Sequence, residues 1–256
     1  MSGYEALAGS YDALMTDGSY QARADFLERC FQGSAVPVKT VLDLGCGTGT
    51  IAWMLAERGY EVIATDASGE MLTQAMGKAA GCPPGFPPPL FVCQPMERLN
   101  LGRRRADAVV STLDSLNYLT REKDLRETLR RVCRYLRPGG RLVFDVNTPC
   151  KFRRMDAQMY MDEDPGNFCV WRTFFSEKTR ICTYQVDLFR RRGDGAWDRR
   201  FEEHRQRAWE WEQLRGFLTD AGFTRIRRSG DLTLRPPKED ADRWTVLAEK
   251  PEGPEE

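Results

Sequence analysis

The sequence contains one histidine, His204, and no Cys-x-x-Cys pair among its eight cysteines. Zinc sites of ordinary spacing draw on several such ligands close together, so no metal centre is expected. Net charge is also missing, since 38 Lys and Arg balance 38 Asp and Glu. General binders of nucleic acid or of membrane surfaces rely on excess positive charge, so neither partner is expected. No apolar run approaches 18 residues, and Tyr4, Glu5 and Asp12 interrupt any early hydrophobic stretch. That pattern reads as no membrane span and no signal peptide, and hence as a cytoplasmic chain with reduced thiols. Most of these thiols should serve in packing; Cys133, on the apolar face of a helical pattern, is an example. Two basic runs, Arg103-Arg104-Arg105 and Arg190-Arg191-Arg192, sit beside Gly102 and Gly193. They read as solvated turns, with a substrate-phosphate contact as the alternative.

What the chain does have is concentrated at Val41-Leu42-Asp43-Leu44-Gly45-Cys46-Gly47-Thr48-Gly49. An apolar run carries an acid and ends in a Gly-x-Gly-x-Gly loop. An amphipathic stretch with Ile51, Met54 and Leu55 follows and stops at Gly59. This spells buried strand, tight turn and helix. Glycines let the backbone come close to a ligand, and the free N–H groups of a helix start favour an anionic group.

The 256 residues fit one large domain, or one domain with an insertion. Residues 1–35 read as a helical cap, with Phe26, Leu27, Cys30 and Phe31 in one stripe. Strands are expected at 40–44, 60–65, 90–93, 106–111 and 141–146. Helices are expected over 50–58, from Ser68 through Met76, and over 121–136, the last stopped by Pro138-Gly139-Gly140. Strands alternating with helices imply a mostly parallel, Rossmann-like α/β sheet, here seven-stranded with helices on both faces. After the fifth strand the period changes to two. Segments 168–176, 179–190 and 197–207 read as a three-stranded antiparallel unit. A helix around Trp211–Leu218 and strands at 223–228 and 244–249 complete the sheet. The division is then a helical cap (1–35), a cofactor-binding domain (36–148 and 206–250) and an antiparallel insertion (149–205) that forms a lid over the acceptor.

Two cofactors compete for the glycine loop. A dinucleotide fingerprint can be placed on Gly47-Thr48-Gly49-Thr50-Ile51-Ala52. It leaves Gly45 unexplained, and a pyrophosphate gains nothing from Asp43 beneath the loop. S-adenosylmethionine has an ammonium for an acid at the strand end and a carboxylate for the loop N–H groups. Asp66 lies 17 residues past Gly49 and ends the second strand, where an acid can accept both ribose hydroxyls.

The 41–49 segment resembles motif I of the class I S-adenosylmethionine-dependent methyltransferases. Thr65-Asp66-Ala67-Ser68 is similar to their ribose-binding motif with its helix cap. Leu136-Arg137-Pro138-Gly139-Gly140-Arg141-Leu142 resembles their turn before strand five. Tyr4-x-x-Leu7-Ala8-x-x-Tyr11-Asp12-x-Leu14-Met15 resembles the N-terminal helix of the small-molecule branch, as does His204-x-Gln206-Arg207 with Ala221-Gly222-Phe223. The resemblance implies cofactor contacts from Tyr11, Asp43, Gly45, Cys46, Gly47, Gly49, Asp66, Ala67, Met71, Gln94, Met96 and Thr112, with S-adenosylhomocysteine as the product. One departure is Pro95, which stands where the family often has an acid for the adenine amino group. Adenine is then held by the Met96 backbone and Gln94, or by Glu97.

Methyl transfer from a sulfonium is an in-line displacement that depends on alignment and a dry pocket. An ammonium or alcohol acceptor must also lose a proton. His204 is one candidate base, since imidazole can take a proton near neutral pH. Asp114 is the rival, with capping of the 115–119 turn as its structural alternative. Tyr11 covers the cofactor's methionyl end or positions the acceptor, with packing as a helical aromatic as the structural alternative. Trp171, Phe174, Phe175, Tyr184 and Phe189 give the antiparallel unit an aromatic surface, partly core and partly acceptor pocket. The function expected is methylation of a small molecule on N, O or C, by a monomer or homodimer. The alternatives are a non-catalytic cofactor-binding sensor or accessory protein and, further off, an NAD-dependent oxidoreductase or an RNA methyltransferase.

Overall fold

The computed structural model describes residues 19–81 and 85–253. The expected motif at Tyr4–Met15, with Tyr11, lies outside the described residues. Helix α1 (Ser19–Gln32) is followed by β1 (Thr40–Leu44), α2 (Thr50–Glu57), β2 (Glu61–Asp66), α3 (Gly69–Gly77) and β3 (Leu90–Cys93). Next come β4 (Ala106–Ser111), α4 (Glu122–Tyr135), β5 (Leu136–Asn147) and the short α5 (Pro149–Arg154). An antiparallel run β6 (Met159–Asp164), β7 (Asn167–Ser176), β8 (Ile181–Arg191) and β9 (Trp197–Arg207) precedes α6 (Trp211–Asp220), β10 (Thr224–Gly230) and β11 (Arg243–Glu249).

The larger sheet has seven strands in the order β10-β11-β5-β4-β1-β2-β3. Only β11 runs against its neighbours, pairing antiparallel with both β5 and β10. Alternation along each strand sends side chains to two cores. Leu42, Leu44, Val109, Leu142 and Phe144 pack with Leu125, Leu129 and Val132 of α4 and with Leu214, Phe217 and Leu218 of α6. Val41, Val62, Val110 and Val143 face the other way, onto Phe26 and Leu27 of α1 and Ile51 and Leu55 of α2. This is the mostly parallel, two-faced α/β sheet that the sequence implied. Ser68 caps α3 as expected, its hydroxyl accepting from the Met71 N–H at 3.2 Å. Among the described residues no helix is long and apolar enough to cross a membrane.

Two local expectations need correction. The helix before Pro138 ends at Tyr135, and Leu136 is already extended (φ −71°, ψ 142°). The Pro138-Gly139-Gly140 segment therefore belongs to β5 and does not stop α4. Leu136 pairs with Ala106, and the register then shifts before Ala108 pairs with Arg141. Gly139, at φ +76°, donates to the Lys250 carbonyl, so the glycine turns the strand outward to meet the end of β11. The antiparallel unit has four strands, not three, because β6 pairs with β7 through a Pro165-Gly166 turn. The Asp164 carboxylate accepts the Gly166 and Asn167 N–H groups at 2.7 and 2.9 Å and fixes that turn. β6 escaped notice because its six residues, Met-Tyr-Met-Asp-Glu-Asp, are nearly all exposed and lack a buried alternation.

Phe144 is 1% exposed in the centre of β5. Phe144→Ala is expected to cost about 3–5 kcal/mol of stability, the usual penalty for an emptied aromatic site. Urea unfolding followed by circular dichroism checks this; a cost below about 1 kcal/mol would mean the core can collapse there.

Candidate active site

A cavity of about 660 Å³ opens at the carboxyl edge of the parallel strands. In open α/β sheets this is the edge where ligands bind, because the loops there are free of the crossover helices. One wall is the loop after β1, with Gly45, Cys46, Gly47, Thr48 and the start of α2. A second is the end of β2, with Asp66, Ala67, Ser68 and Met71. A third comes from Pro95, Met96 and Glu97 after β3. The far wall is the turn after β4, with Thr112, Leu113, Ser115 and Tyr118, and Tyr20 of α1 closes one side.

The loop is built for close approach. Gly45 sits at φ +76°, and a Cβ added there would run into the Met96 side chain and come within 2.9 Å of the Ser115 Cβ. At Gly49, φ +72°, a Cβ would meet the Ala75 Cβ at 2.8 Å. Both positions therefore need glycine on conformational and steric grounds. The Gly47 N–H donates to the Asp66 carboxylate at 2.9 Å, and the other Asp66 oxygen accepts from the Ser68 N–H at 2.9 Å. Burial nonetheless raises the Asp66 carboxyl above its usual range, against those N–H donors. Lys78 donates to the hydroxyls of Thr50 at 2.7 Å and Thr48 at 3.1 Å, placing a cation beside the loop.

Asp43 lies beneath this loop and is 1% exposed. Neither carboxylate oxygen has a hydrogen-bond partner. Burial, and then the neighbouring Asp66, push its carboxyl up to about 7. A buried acid without a partner is costly to ionise and is the feature one expects where a cationic ligand completes the site. The Cys46 thiol is pushed well above its usual range, mainly by burial, and so is not a nucleophile near neutral pH.

The wall after β4 is held from behind by another carboxylate. Leu113 and Asp114 both have positive φ, 56° and 54°. Consecutive non-glycine residues in that region are strained and persist only when their surroundings fix them. Here the Asp145 carboxylate of β5 accepts the N–H groups of Leu113 and Asp114 at 2.9 and 2.8 Å. Arg23 of α1 donates to Asp145 at 3.0 Å, and Arg243 of β11 ion-pairs with it from the other side. Burial alone would raise the Asp145 carboxyl, but Arg243, Arg23 and the two N–H groups hold it below the usual range.

The structure brings most of the sequence-predicted cofactor residues together. Gly45, Cys46, Gly47, Asp66, Ala67, Met71, Met96 and Thr112 line the cavity. Asp43 lies beneath it, and Gly49 packs against α3 and β3. Gln94 does not line it; its side-chain oxygen accepts from the Asn100 N–H at 2.9 Å. Glu97, the alternative for adenine, does line it. Asp114 points away from the cavity. Its oxygens take Arg243 at 2.7 Å and Gln206 at 2.5 Å, and its side chain makes no cap for the 115–118 turn. His204 is buried on β9, opposite Tyr184. Its Nε2 is 3.3 Å from Glu202, and its ring stands edge-on to Tyr118 at 6.2 Å, so Tyr118 separates it from the cavity. The aromatic surface of the antiparallel sheet splits between faces. Trp171, Phe175 and Tyr184 share the side that carries His204, whereas Phe174 and Phe189 are on the opposite side.

Sequence reasoning missed the Arg23–Asp145–Arg243 cluster. The signal was there in Phe144-Asp145-Val146-Asn147, two polar residues in a strand otherwise buried on both faces. It also missed Lys78 beside the glycine loop and Leu119, Thr120, Arg121 and Asp124 in the cavity lining, for which no local pattern announces proximity.

Residues 41–140 match the model of a family described as a methyltransferase domain. Over 249 residues the chain is 33% identical to YqeM of Bacillus subtilis (strain 168), whose name assigns it provisionally to the methyltransferases; the match covers 96% of this chain and 97% of that protein. The crystal structure of an S-adenosylmethionine-dependent methyltransferase from Clostridium acetobutylicum ATCC 824 matches with a TM-score of 0.84 at 26% identity, over 97% of this chain and 99% of that one. The CcbJ methyltransferase of Streptomyces caelestis shares the fold, with a TM-score of 0.83 at 22% identity over 98% of this chain and 99% of that one. The chain belongs to the class I S-adenosylmethionine-dependent methyltransferases. The dinucleotide reading of the glycine loop falls with that assignment.

Two carboxylates give opposite pH signatures. The folded-state pKa of Asp43 is raised, so its contribution to stability is full below about pH 4 and is lost as pH rises through about 7. Wild-type stability should therefore decline between about pH 4 and 7 relative to Asp43→Asn; parallel profiles in urea unfolding would overturn the assignment. Asp145 is depressed, so it stabilises above the usual carboxylate range. Asp145→Asn should cost about 3–5 kcal/mol at pH 7, because the buried Arg23 and the half-buried Arg243 each lose one of their two charge partners. Chemical denaturation at pH 7 measures this, and a near-neutral effect would show that the cluster is dispensable.

Proposed function

We propose that this chain transfers a methyl group from S-adenosylmethionine to a small-molecule acceptor seated between the turn after β4 and the antiparallel sheet. The unpartnered Asp43 carboxylate beneath a glycine loop with positive φ carries this reading. A cofactor with an ammonium at one end and a diol further along matches Asp43 and Asp66 in charge and order. Gly45, Gly47 and Thr48 would hold the amino-acid end, Asp66 the ribose, and Met71, Met96 and Glu97 the base. The bound cofactor supplies a methyl group on a cationic sulfur.

The remaining work falls to this chain's own residues. The 112–118 turn, locked by Asp145, sets the acceptor's distance and angle, and alignment of this kind can contribute most of a displacement's acceleration. Leu113, Tyr118 and Leu119 give that wall an apolar lining that excludes water. Asp114, ion-paired with Arg243 and hydrogen-bonded by the Gln206 amide, positions the turn and does not act as a base. His204 lies behind Tyr118 and outside the cavity, so the acceptor's proton reaches it only by relay through the Tyr118 hydroxyl or a water molecule. A small acceptor fits a cavity of about 660 Å³, and the balanced charge of the chain favours it over an RNA substrate, which relies on excess positive charge. The antiparallel sheet then serves as the acceptor lid; Arg103 and Arg104 are exposed at a turn as expected, whereas Arg190 and Arg191 are exposed in the last positions of β8 and not in a turn.

Calorimetry with S-adenosylhomocysteine tests the cofactor half. Asp66→Ala should weaken binding about 10–100-fold, the loss of charge-assisted hydrogen bonds; unchanged affinity would refute the ribose assignment. Release of S-adenosylhomocysteine with a metabolite pool tests the acceptor half. His204→Asn should lower turnover about 100-fold or more while leaving cofactor affinity within twofold. Full activity in that variant would reduce His204 to packing.

A further inference from the structure

The end of the cavity at the glycine loop is rich in acid. Asp66 lines it, and Asp43 lies beneath it. Both favour an ammonium and both repel a carboxylate. The amino-acid end of S-adenosylmethionine carries the two groups on one carbon, so a positive field is needed beside the negative one. The sequence pattern assigns that task to the loop N–H groups, but the fold takes four of them for itself. Gly45 and Cys46 donate to the Thr65 carbonyl at 2.8 and 3.0 Å, and Gly49 donates to the Cys46 carbonyl at 2.9 Å. The Gly47 N–H goes to Asp66.

We propose that Lys78, acting through the hydroxyls of Thr48 and Thr50, positions the cofactor's carboxylate and makes the site select for it, a role that rests on the reading of this cavity as an S-adenosylmethionine site. Lys78 follows the last residue of α3. A lysine there ordinarily turns to the free carbonyls of its own helix. Lys78 instead reaches across to the start of α2, donating to Thr50 at 2.7 Å and to Thr48 at 3.1 Å. Both threonines line the cavity. An ammonium only donates, so it takes a lone pair on each hydroxyl oxygen. The two oxygens lie 3.5 Å apart, so at most one hydroxyl hydrogen serves the other threonine. The pair is thereby biased to donate, and a carboxylate is the strong acceptor for such donors.

The charge of Lys78 acts in the same direction. At the Cys46 thiol it opposes burial, Asp43 and Asp66, so its field extends over the loop. The start of α2 adds to it, because Gly49 caps that helix without a side chain and its first turn holds no acid. Two acids, together with Lys78 and the helix start, give this end of the cavity both signs of charge, which is the pattern that a zwitterion requires.

Calorimetry of the full chain with two probes tests this. One is S-adenosylhomocysteine. The other is its decarboxylated analogue, S-adenosyl-3-thiopropylamine, which keeps the adenosine, the sulfur and the ammonium and lacks the carboxylate. The wild type should bind S-adenosylhomocysteine at least about 10-fold more tightly than the analogue, the usual scale for hydrogen bonds to a charged group. Lys78→Met should lower S-adenosylhomocysteine affinity about 10-fold and leave the analogue within about twofold, and Lys78→Arg should restore most of the preference. Thr50→Val should cost part of the same preference, and less in the Lys78→Met background than in the wild type. An equal loss for both probes in Lys78→Met would mean that Lys78 merely ties α3 to the loop, and overturns the proposal. So does a preference that survives Lys78→Met. A wild type that binds both probes equally overturns it without recourse to any variant, while leaving the cofactor reading intact. A wild type that binds neither probe refutes the cofactor reading itself, and the proposal with it.

Discussion

The geometry of the acceptor side depends on one buried carboxylate. Asp145 lies near the end of β5 and gathers Arg23 from the first described helix, Arg243 from the last strand and two N–H groups from the turn after β4. Each of these groups alone would be costly to bury; together they satisfy one another. The cluster holds two residues in the left-handed region at the cavity wall, a conformation that the local sequence does not favour. Arg243 also reaches Asp114, and Gln206 of β9 grips the other oxygen of that carboxylate. Asn117 continues the seam by donating to the carbonyls of Arg207 and Asn147. The antiparallel sheet is thus moored to the parallel one through the turn that would face the acceptor.

The cofactor side follows a different rule. Asp43 is buried with no partner, which a structure optimised for stability alone would avoid. On the proposed reading a cationic ligand would supply what the protein leaves out. Asp145 is satisfied within the fold, whereas Asp43 is not. Asp114, at the same edge of the sheet, is likewise paired within the fold, by Arg243 and Gln206.

Much of the fold was legible because its signals are local. Alternating apolar strands, helical stripes and the glycines at 45, 47 and 49 each depend on residues within one turn or one strand. The seven-stranded sheet followed from them, and the family resemblance of the same motifs implied the placement of Asp66, Met71, Met96 and Thr112, which the structure brings to the cavity. Where reading failed, the reason was physical. β6 is exposed on both sides, so no burial pattern marks it. The end of α4 was misplaced because the residue before Pro138 and its neighbours had already left the helical region, giving β5 an early start. Gln94 turned away because Asn100, six residues on, offered its side chain a backbone donor.

The sequence by itself determined the cofactor cradle: a strand, three glycines with positive φ and two acids placed by chain spacing, all within 24 residues of each other from Asp43 to Asp66. Only the tertiary structure decided what each acid does. Asp114 meets Arg243 across 129 positions of chain, and Asp145 meets Arg23 across 122. Whether a carboxylate is paired, and so whether it can bind a ligand or take a proton, depends on charges that the fold brings from afar, and no local pattern encodes that distance.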